Sequence, residues 1–335
     1  MTVLLDRRNW LALGLGMLCS AARADTKPTR VAAPALTHSD FVRNGLQLHF
    51  VPLAQAFVQS STALSDQLAQ SCSATTAHEA WRRAMLDWER LAAVAVGPLL
   101  ERRSARAVDF WPTRPAMVSA AVQTQPQNLQ ALEKIGAPAK GLPALEWLLW
   151  QAAPNADQCA YATLLASACA AEAQTLLEEF QALAQRDWKE DIALPVFQEW
   201  VGQAVGGLEQ LRWKKIGKPA RSARASDWPR GTSGSTRAAW QAEWDGLQHF
   251  LIGTGRSGEQ GSLNGYLAGD NQLALSAQLE TTVEQLHARI KAADPARPAT
   301  VAAAVQSLAQ GKRLMEDKIA PALQTMVGFS DADGD

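Results

Sequence analysis

The segment Asp109-Phe110-Trp111-Pro112-Thr113-Arg114-Pro115 joins a carboxylate, an aromatic plane and a guanidinium in one proline-bounded stretch. A guanidinium held there can grip a carboxylate or phosphate through two parallel hydrogen bonds; the alternative is a structural ion pair between Arg114 and Asp109. A second candidate is Gly141-Leu142-Pro143-Ala144-Leu145-Glu146-Trp147. Glu146 is the one polar side chain in the apolar run from Leu142 to Trp150. Its carboxylate is therefore expected to be partly buried and to need a cation, a hydrogen-bond donor or a metal, unless it is a solvated acid on the outer face of a helix. A third is the loop Ser226 to Ser235, where Ser233 or Ser235 can cap the next helix and Arg230 can complete an anion-accepting corner. Capping without a ligand is the alternative there. Trp111 and Trp228 sit in proline-containing loops and are expected to wall a pocket, whereas the tryptophans at helical spacing serve the core. The expected ligand site is thus Asp109, Trp111, Arg114, Glu146, Trp228, Arg230 and Ser233. These are expected to face one another across a domain interface, with Glu146 a candidate metal ligand.

Hydrolytic machinery is not legible. A zinc peptidase needs about three ligands and a nearby carboxylate base, yet no His-Glu-x-x-His or inverted version occurs, and His38, His49, His78, His249 and His287 are dispersed. Asp245 and His249 share a helix face and could seed a metal site, or be an exposed pair. There is no Gly-x-Ser-x-Gly elbow, and the glycine-rich Gly253 to Gly258 follows no strand, so it reads as a turn.

These residues must be positioned by helices. In 335 residues, 47% are hydrophobic and 19% charged, Ala, Leu and Gln dominate, and only 2 are Tyr. That composition disfavours strands and predicts an all-α protein. A net charge of −1 gives no footprint for nucleic acid. Helical periodicity predicts a long helix over residues 39–70 and a second opened by the capping box Thr76-Ala77-His78-Glu79 and carried by Trp81, Met85, Trp88 and Ala92. It predicts another capped by Asn155 or Asp157 and reaching about Gln185. Further helices are expected over residues 196–215, 236–252, 271–293 and 299–327. The break at residues 186–195 predicts two helical-bundle domains, 25–187 and 188–335, with a cleft between them.

The first 24 residues are expected to be a cleaved export signal: Arg7-Arg8, the apolar run Trp10 to Cys19, then Ala22-Arg23-Ala24. Arg7-Arg8-Asn9-Trp10-Leu11 also resembles a twin-arginine signal. Cleavage after Ala24 leaves no apolar run able to span a bilayer, so the mature chain is expected in the periplasm without membrane insertion. In that oxidising compartment Cys72, in the turn-like Ser71-Cys72-Ser73, and Cys159, near a helix start, are expected to pair, leaving Cys169 buried among alanines inside a helix. Three free thiols are the alternative.

Gly141-Leu142-Pro143-Ala144-Leu145-Glu146 resembles the Gly-x-His-x-x-Glu motif of the imelysin family of exported bacterial proteins, also classed as imelysin peptidases. Ala80-Trp81 through Trp88, Gly97-Pro98, Asp109 through Pro115, Lys218-Pro219 through Trp228 and the terminal Gly328 to Asp335 agree with that family in order. The resemblance implies a two-domain helical fold with a site between the domains and a link to iron uptake. Pro143 stands where the family motif has histidine. Proline cannot ligate a metal, which reduces the metal pair to Glu146 alone. The expected function is a non-catalytic component that binds a small anionic or metal ligand, iron or another divalent cation, beside envelope iron-uptake proteins. A metallopeptidase and an envelope scaffold are the alternatives.

Overall fold

Every regular element among the described residues is a helix or a helical turn. The computed structural model describes residues 35–72, 74–151, 154–222, 224–253 and 260–325. The expected export signal, the terminal residues 328–335 and most of the Gly253–Gly258 turn lie outside the described residues.

Helix α1 (His38–Gly45) opens on a reciprocal capping box: the Thr37 hydroxyl accepts from the Asp40 amide at 3.1 Å, and Asp40 accepts from the Thr37 amide. It passes through a π-helical segment, Leu46–Phe50, into α2 (Val51–Gln70), so the helix expected over 39–70 carries an internal change of winding. Helix α3 (Ala74–Leu91) starts upstream of Thr76, which places the expected capping box inside its first turn. Four short helices follow: α4 (Pro98–Glu101), α5 (Ser104–Val108), α6 (Pro115–Gln123) and α7 (Leu129–Glu133). Next come α8 (Gly141–Leu149) and the long α9 (Ala156–Ala184), capped by Asn155.

Helix α10 (Glu190–Glu209) begins earlier than residue 196 because it absorbs Pro195 near its start, where one intrahelical bond is lost. It continues as a second π-helical segment, Gln210–Gly217. After two short 3₁₀ turns come α11 (Thr236–Ile252), α12 (Leu263–Gly269), α13 (Leu273–Ala292) and α14 (Pro298–Leu314). A third π-helical segment, Met315–Ile319, leads to α15 (Ala320–Ala322).

Helix α2 packs on α3 and α9, α8 lies against α9 and α3, and α13 packs on α11 and α14. The boundary expected between residues 187 and 188 divides the chain but not its core. Helix α1 lies on α10 and α3 on α11 across it, one hydrophobic cluster runs through both parts, and residues 32–335 form a single compact unit. Two close approaches draw α3 and the turn after it onto the later helices. A Cβ on Gly246 would strike the Arg90 carbonyl, and one on Gly207 the Ala93 carbonyl. Backbone can meet backbone there only because both residues are glycine.

Cys72 and Cys159 form a disulfide with Cα atoms 5.6 Å apart, joining the end of α2 to the first turn of α9. Cys169 is free and buried, and burial, with Asp109 and Glu172 nearby, pushes its thiol up to about 12.

Candidate functional site

The contact of α3 with α11 and the second π-helical segment buries a chain of charges. Glu89 and Glu243 lie on the inner stripes of α3 and α11, and both are at most 1% exposed. Lys215 comes from the π-helical segment and sits between them. Its Nζ pairs with Glu89 Oε2 and lies 2.9 Å from Glu243 Oε2, off the line of a hydrogen bond. The other side of Glu89 belongs to Arg230, whose Nε and Nη2 donate to Oε1 at 3.2 and 3.0 Å. Arg230 Nη2 also donates to Asp109 Oδ1 at 2.6 Å, and the Trp88 indole N–H donates to Asp109 Oδ2 at 3.2 Å. Arg230 is 1% exposed, stands 6.0 Å from the Trp81 ring, and keeps Nη1 buried without a hydrogen-bond partner among the described residues.

The electrostatics follow from three carboxylates sharing two cations. Burial alone would raise the Glu89 carboxyl, but Lys215 and Arg230 outweigh it and hold it below the usual range. Burial raises Asp109 against the pull of Arg230. Burial, with Glu89 adding, raises Glu243 to about 7 because Lys215 compensates only partly. For Lys215 and Arg230 the paired carboxylates overcome burial and hold both above their ordinary values, so both stay charged.

This network forms one side of a cavity of about 870 Å³ between the helices before and after residue 187. Five cations line it, Arg103, Arg106, Lys214, Lys215 and Arg230, against the carboxylates of Glu89 and Asp109. Trp88, Phe110 and Trp111 supply aromatic wall. Arg103 and Arg230 both occupy the left-handed region, with φ of 56° and 62°. Arginine pays a steric cost there that glycine avoids, and such strain concentrates at functional positions. Among the described residues, Arg103, Arg106 and Lys214 form no ion pair.

The expected site residues divide. Asp109, Trp111 and Arg230 line the cavity. Glu146 is 2% exposed and accepts from the Ser233 amide at 2.8 Å, so the acid in the apolar run does meet the Arg230 loop. Ser233 turns its hydroxyl to the Arg230 carbonyl at 3.1 Å. Neither Ser233 nor Ser235 caps α11 through its side chain, which corrects that expectation: the Ser233 amide serves Glu146 and Thr236 bonds back to the Pro229 carbonyl. Arg114 is a second correction. It is exposed at the start of α6, its amide donating to the Pro138 carbonyl at 3.2 Å, and Asp109 takes Arg230 instead. Trp228 packs edge to face on Trp240 at 5.3 Å and is not part of the cavity lining. The Asp245–His249 pair does not assemble either. Asp245 lies 3.8 Å from Arg90, while His249 faces buried His49, Nδ1 to Nδ1 at 3.2 Å, beside Phe50 and Phe250. Burial, and His249 next to it, push His49 well below its ordinary value.

The residues at the motif do not fit a metal. Pro143 offers no donor, Glu146 is held by a backbone amide, and no group of three or more His, Cys, Asp or Glu converges among the described residues. The start of α8 is tightly built all the same. Gly141 has φ of +71°, and a Cβ there would collide with the Val108 carbonyl.

Glu89, Lys215 and Glu243 were not anticipated. Glu89 follows Met85 by four residues and Glu243 follows Trp240 by three, so both carboxylates interrupt apolar stripes that could have exposed them. Lys215 gave no such signal, because its direction is set by π-helical winding.

Comparison with known proteins agrees with this architecture. The sequence model of the imelysin family matches residues 50–323. An imelysin-like protein from Psychrobacter arcticum 273-4 superposes with a TM-score of 0.74 at 18% identity, covering 90% of this chain and 100% of that one. A protein from Parabacteroides distasonis ATCC 8503 described as an iron-regulated protein A precursor superposes with a TM-score of 0.71 at 14% identity, covering 89% and 98%. No curated protein matches the chain.

Proposed function

The chain belongs to the imelysin family, and from that membership we propose that it is an exported periplasmic protein that binds a small anionic ligand, without catalysis, in the service of iron acquisition. The observation that carries this reading is the cavity lined by five cations and two carboxylates, in which Arg103, Arg106 and Lys214 form no ion pair among the described residues. Glu89 and Asp109 are engaged by Arg230 and Lys215, so the potential left for a ligand is positive. The link to iron rests on the relative described as an iron-regulated protein A precursor. Export rests on the Arg7-Arg8 and Ala22-Arg23-Ala24 pattern, and no helix among the described residues is long and apolar enough to cross a membrane. Envelope iron-uptake proteins are the partners such a component would serve.

Calorimetric titration with citrate and ferric citrate tests the reading. Binding is expected to weaken as salt rises, and about tenfold in Lys214→Glu. If neither ligand binds while the protein carries stoichiometric zinc and cleaves a protein substrate in a chelator-sensitive way, the reading is wrong.

A further inference from the structure

The cavity carries more information than its sign, because cations and aromatic rings line the same space. Arg103 lies in the turn between α4 and α5, Arg106 on α5, and Lys214 on the π-helical segment beyond α10. Cations supplied by separate elements suit a ligand with more than one negative charge. One inorganic oxyanion calls instead for a tight nest of donors. The volume of about 870 Å³ is that of a site for an organic molecule and far exceeds what one such ion fills.

Apart from Gln203 and Gln210, the remaining wall is apolar and partly aromatic. Trp88 has its indole N–H committed to Asp109. Phe110 and Trp111, which directly follow Asp109 in sequence, are only half-buried and line the same space. Among the described residues neither ring contacts another aromatic ring, whereas Trp81, Trp150, Trp200, Trp228 and Trp240 all make edge-to-face or tilted ring contacts. Large aromatic faces left part-open beside unpaired cations offer a ring a stacking surface and its acidic substituents a counter-charge.

Resting on the anion-binding reading above, we infer that the ligand is an aromatic polyanion: a planar ring seated against Phe110 and Trp111, with two or more acidic groups directed to Arg103, Arg106 and Lys214. The ring supplies the affinity that an aliphatic anion of equal charge lacks. The charges supply orientation and salt dependence. Arg230 and Lys215, already engaged by Glu89, Asp109 and Glu243, form a polar boundary to the site.

Two probes of equal charge separate this inference from the reading beneath it: citrate and benzene-1,3,5-tricarboxylate, titrated calorimetrically into the full-length protein at pH 7.5 and low salt. The aromatic trianion is expected to bind about tenfold more tightly, the scale of one stacking contact. Trp111→Leu is expected to bring the two affinities together, and Arg106→Glu to weaken both. Phe110→Leu replaces Trp111→Leu if circular dichroism shows the latter unfolded. Equal affinities in the unmodified protein overturn the aromatic assignment and leave the anion site standing. Binding of neither probe overturns both.

Discussion

At the scale of single residues, the arrangement of Glu243, Lys215, Glu89, Arg230 and Asp109 leaves one carboxylate too many for two cations. The proton that resolves the excess sits on Glu243, raised by burial to about 7. In the unfolded chain the same group titrates near its ordinary 4.5. Between those values the folded state holds a proton that the unfolded state has lost. The stabilisation from Glu243 is therefore complete below about 4.5 and disappears as pH rises through about 7, with a slope of up to about 1.4 kcal/mol per pH unit. Glu89, whose carboxyl is lowered, has the opposite sign: its contribution is present above its unfolded value and lost in acid below it. Denaturant titrations from pH 5 to 8 are expected to show unmodified protein losing stability with rising pH relative to Glu243→Gln. Parallel curves would mean that Glu243 is ionised throughout. Such an acid could be found in the sequence because it stands on an apolar stripe, as Glu146 does. Its partner could not, since the pairing links positions far apart along the chain.

At the scale of elements, helices were legible wherever an apolar stripe ran unbroken and a cap marked its start. The Asn155-capped helix illustrates this, whereas residues 236–252 were legible from spacing alone, without a side-chain cap and with Glu243 interrupting the stripe. The π-helical segments at Leu46–Phe50 and Gln210–Gly217 were not legible, because added winding leaves the apolar pattern almost unchanged while rotating everything beyond it. That rotation matters at the cavity, where Lys214 and Lys215 follow one another within such a segment. Nor did the pattern reveal how closely the helices approach. Gly246 and Gly202 are each interior to a helix, but only Gly246 faces another backbone. Gly246→Ala is expected to destabilise the protein by about 2–3 kcal/mol, since its methyl group would push α11 off the Arg90 carbonyl. Gly202→Ala, with nothing within 4 Å of the new Cβ, is expected to stabilise it by about 0.5–1 kcal/mol through the unfolded chain. Chemical denaturation of both variants checks the contrast. Equal effects would show that the α3–α11 contact can relax.

At the scale of the whole molecule, the break read at residues 186–195 shrinks to a turn over residues 185–189, in which Trp188 is 5% exposed and donates to the Leu183 carbonyl at 2.9 Å. A sequence records where a helix stops more readily than whether the next one returns to the same core, and here α10 and α11 return to it. The cavity is consequently a cleft at the edge of one shared core, open to solvent where Leu100, Arg103 and Arg106 are exposed and bounded by elements far apart in the chain. The Cys72–Cys159 bridge closes a separation of 87 residues and restrains the unfolded state of the part that supplies Glu89, Asp109 and Glu146. It also presupposes an oxidising compartment, so the bridge and the export signal stand or fall on related evidence. The cysteines make both countable in one measurement. In denatured, unreduced protein isolated from its native compartment, Cys169 alone is expected to react with a thiol reagent. A second reactive thiol would be Cys19, meaning that residues 1–24 remain attached to a bridged chain. Three would mean cleavage without the bridge, and four neither event. Cys159→Ser should then expose Cys72 as well and lower stability by about 2–4 kcal/mol, the range for a bridge closing a long loop. A loss well below that would place residual structure in the unfolded chain, already drawing α2 and α9 together before the bridge does.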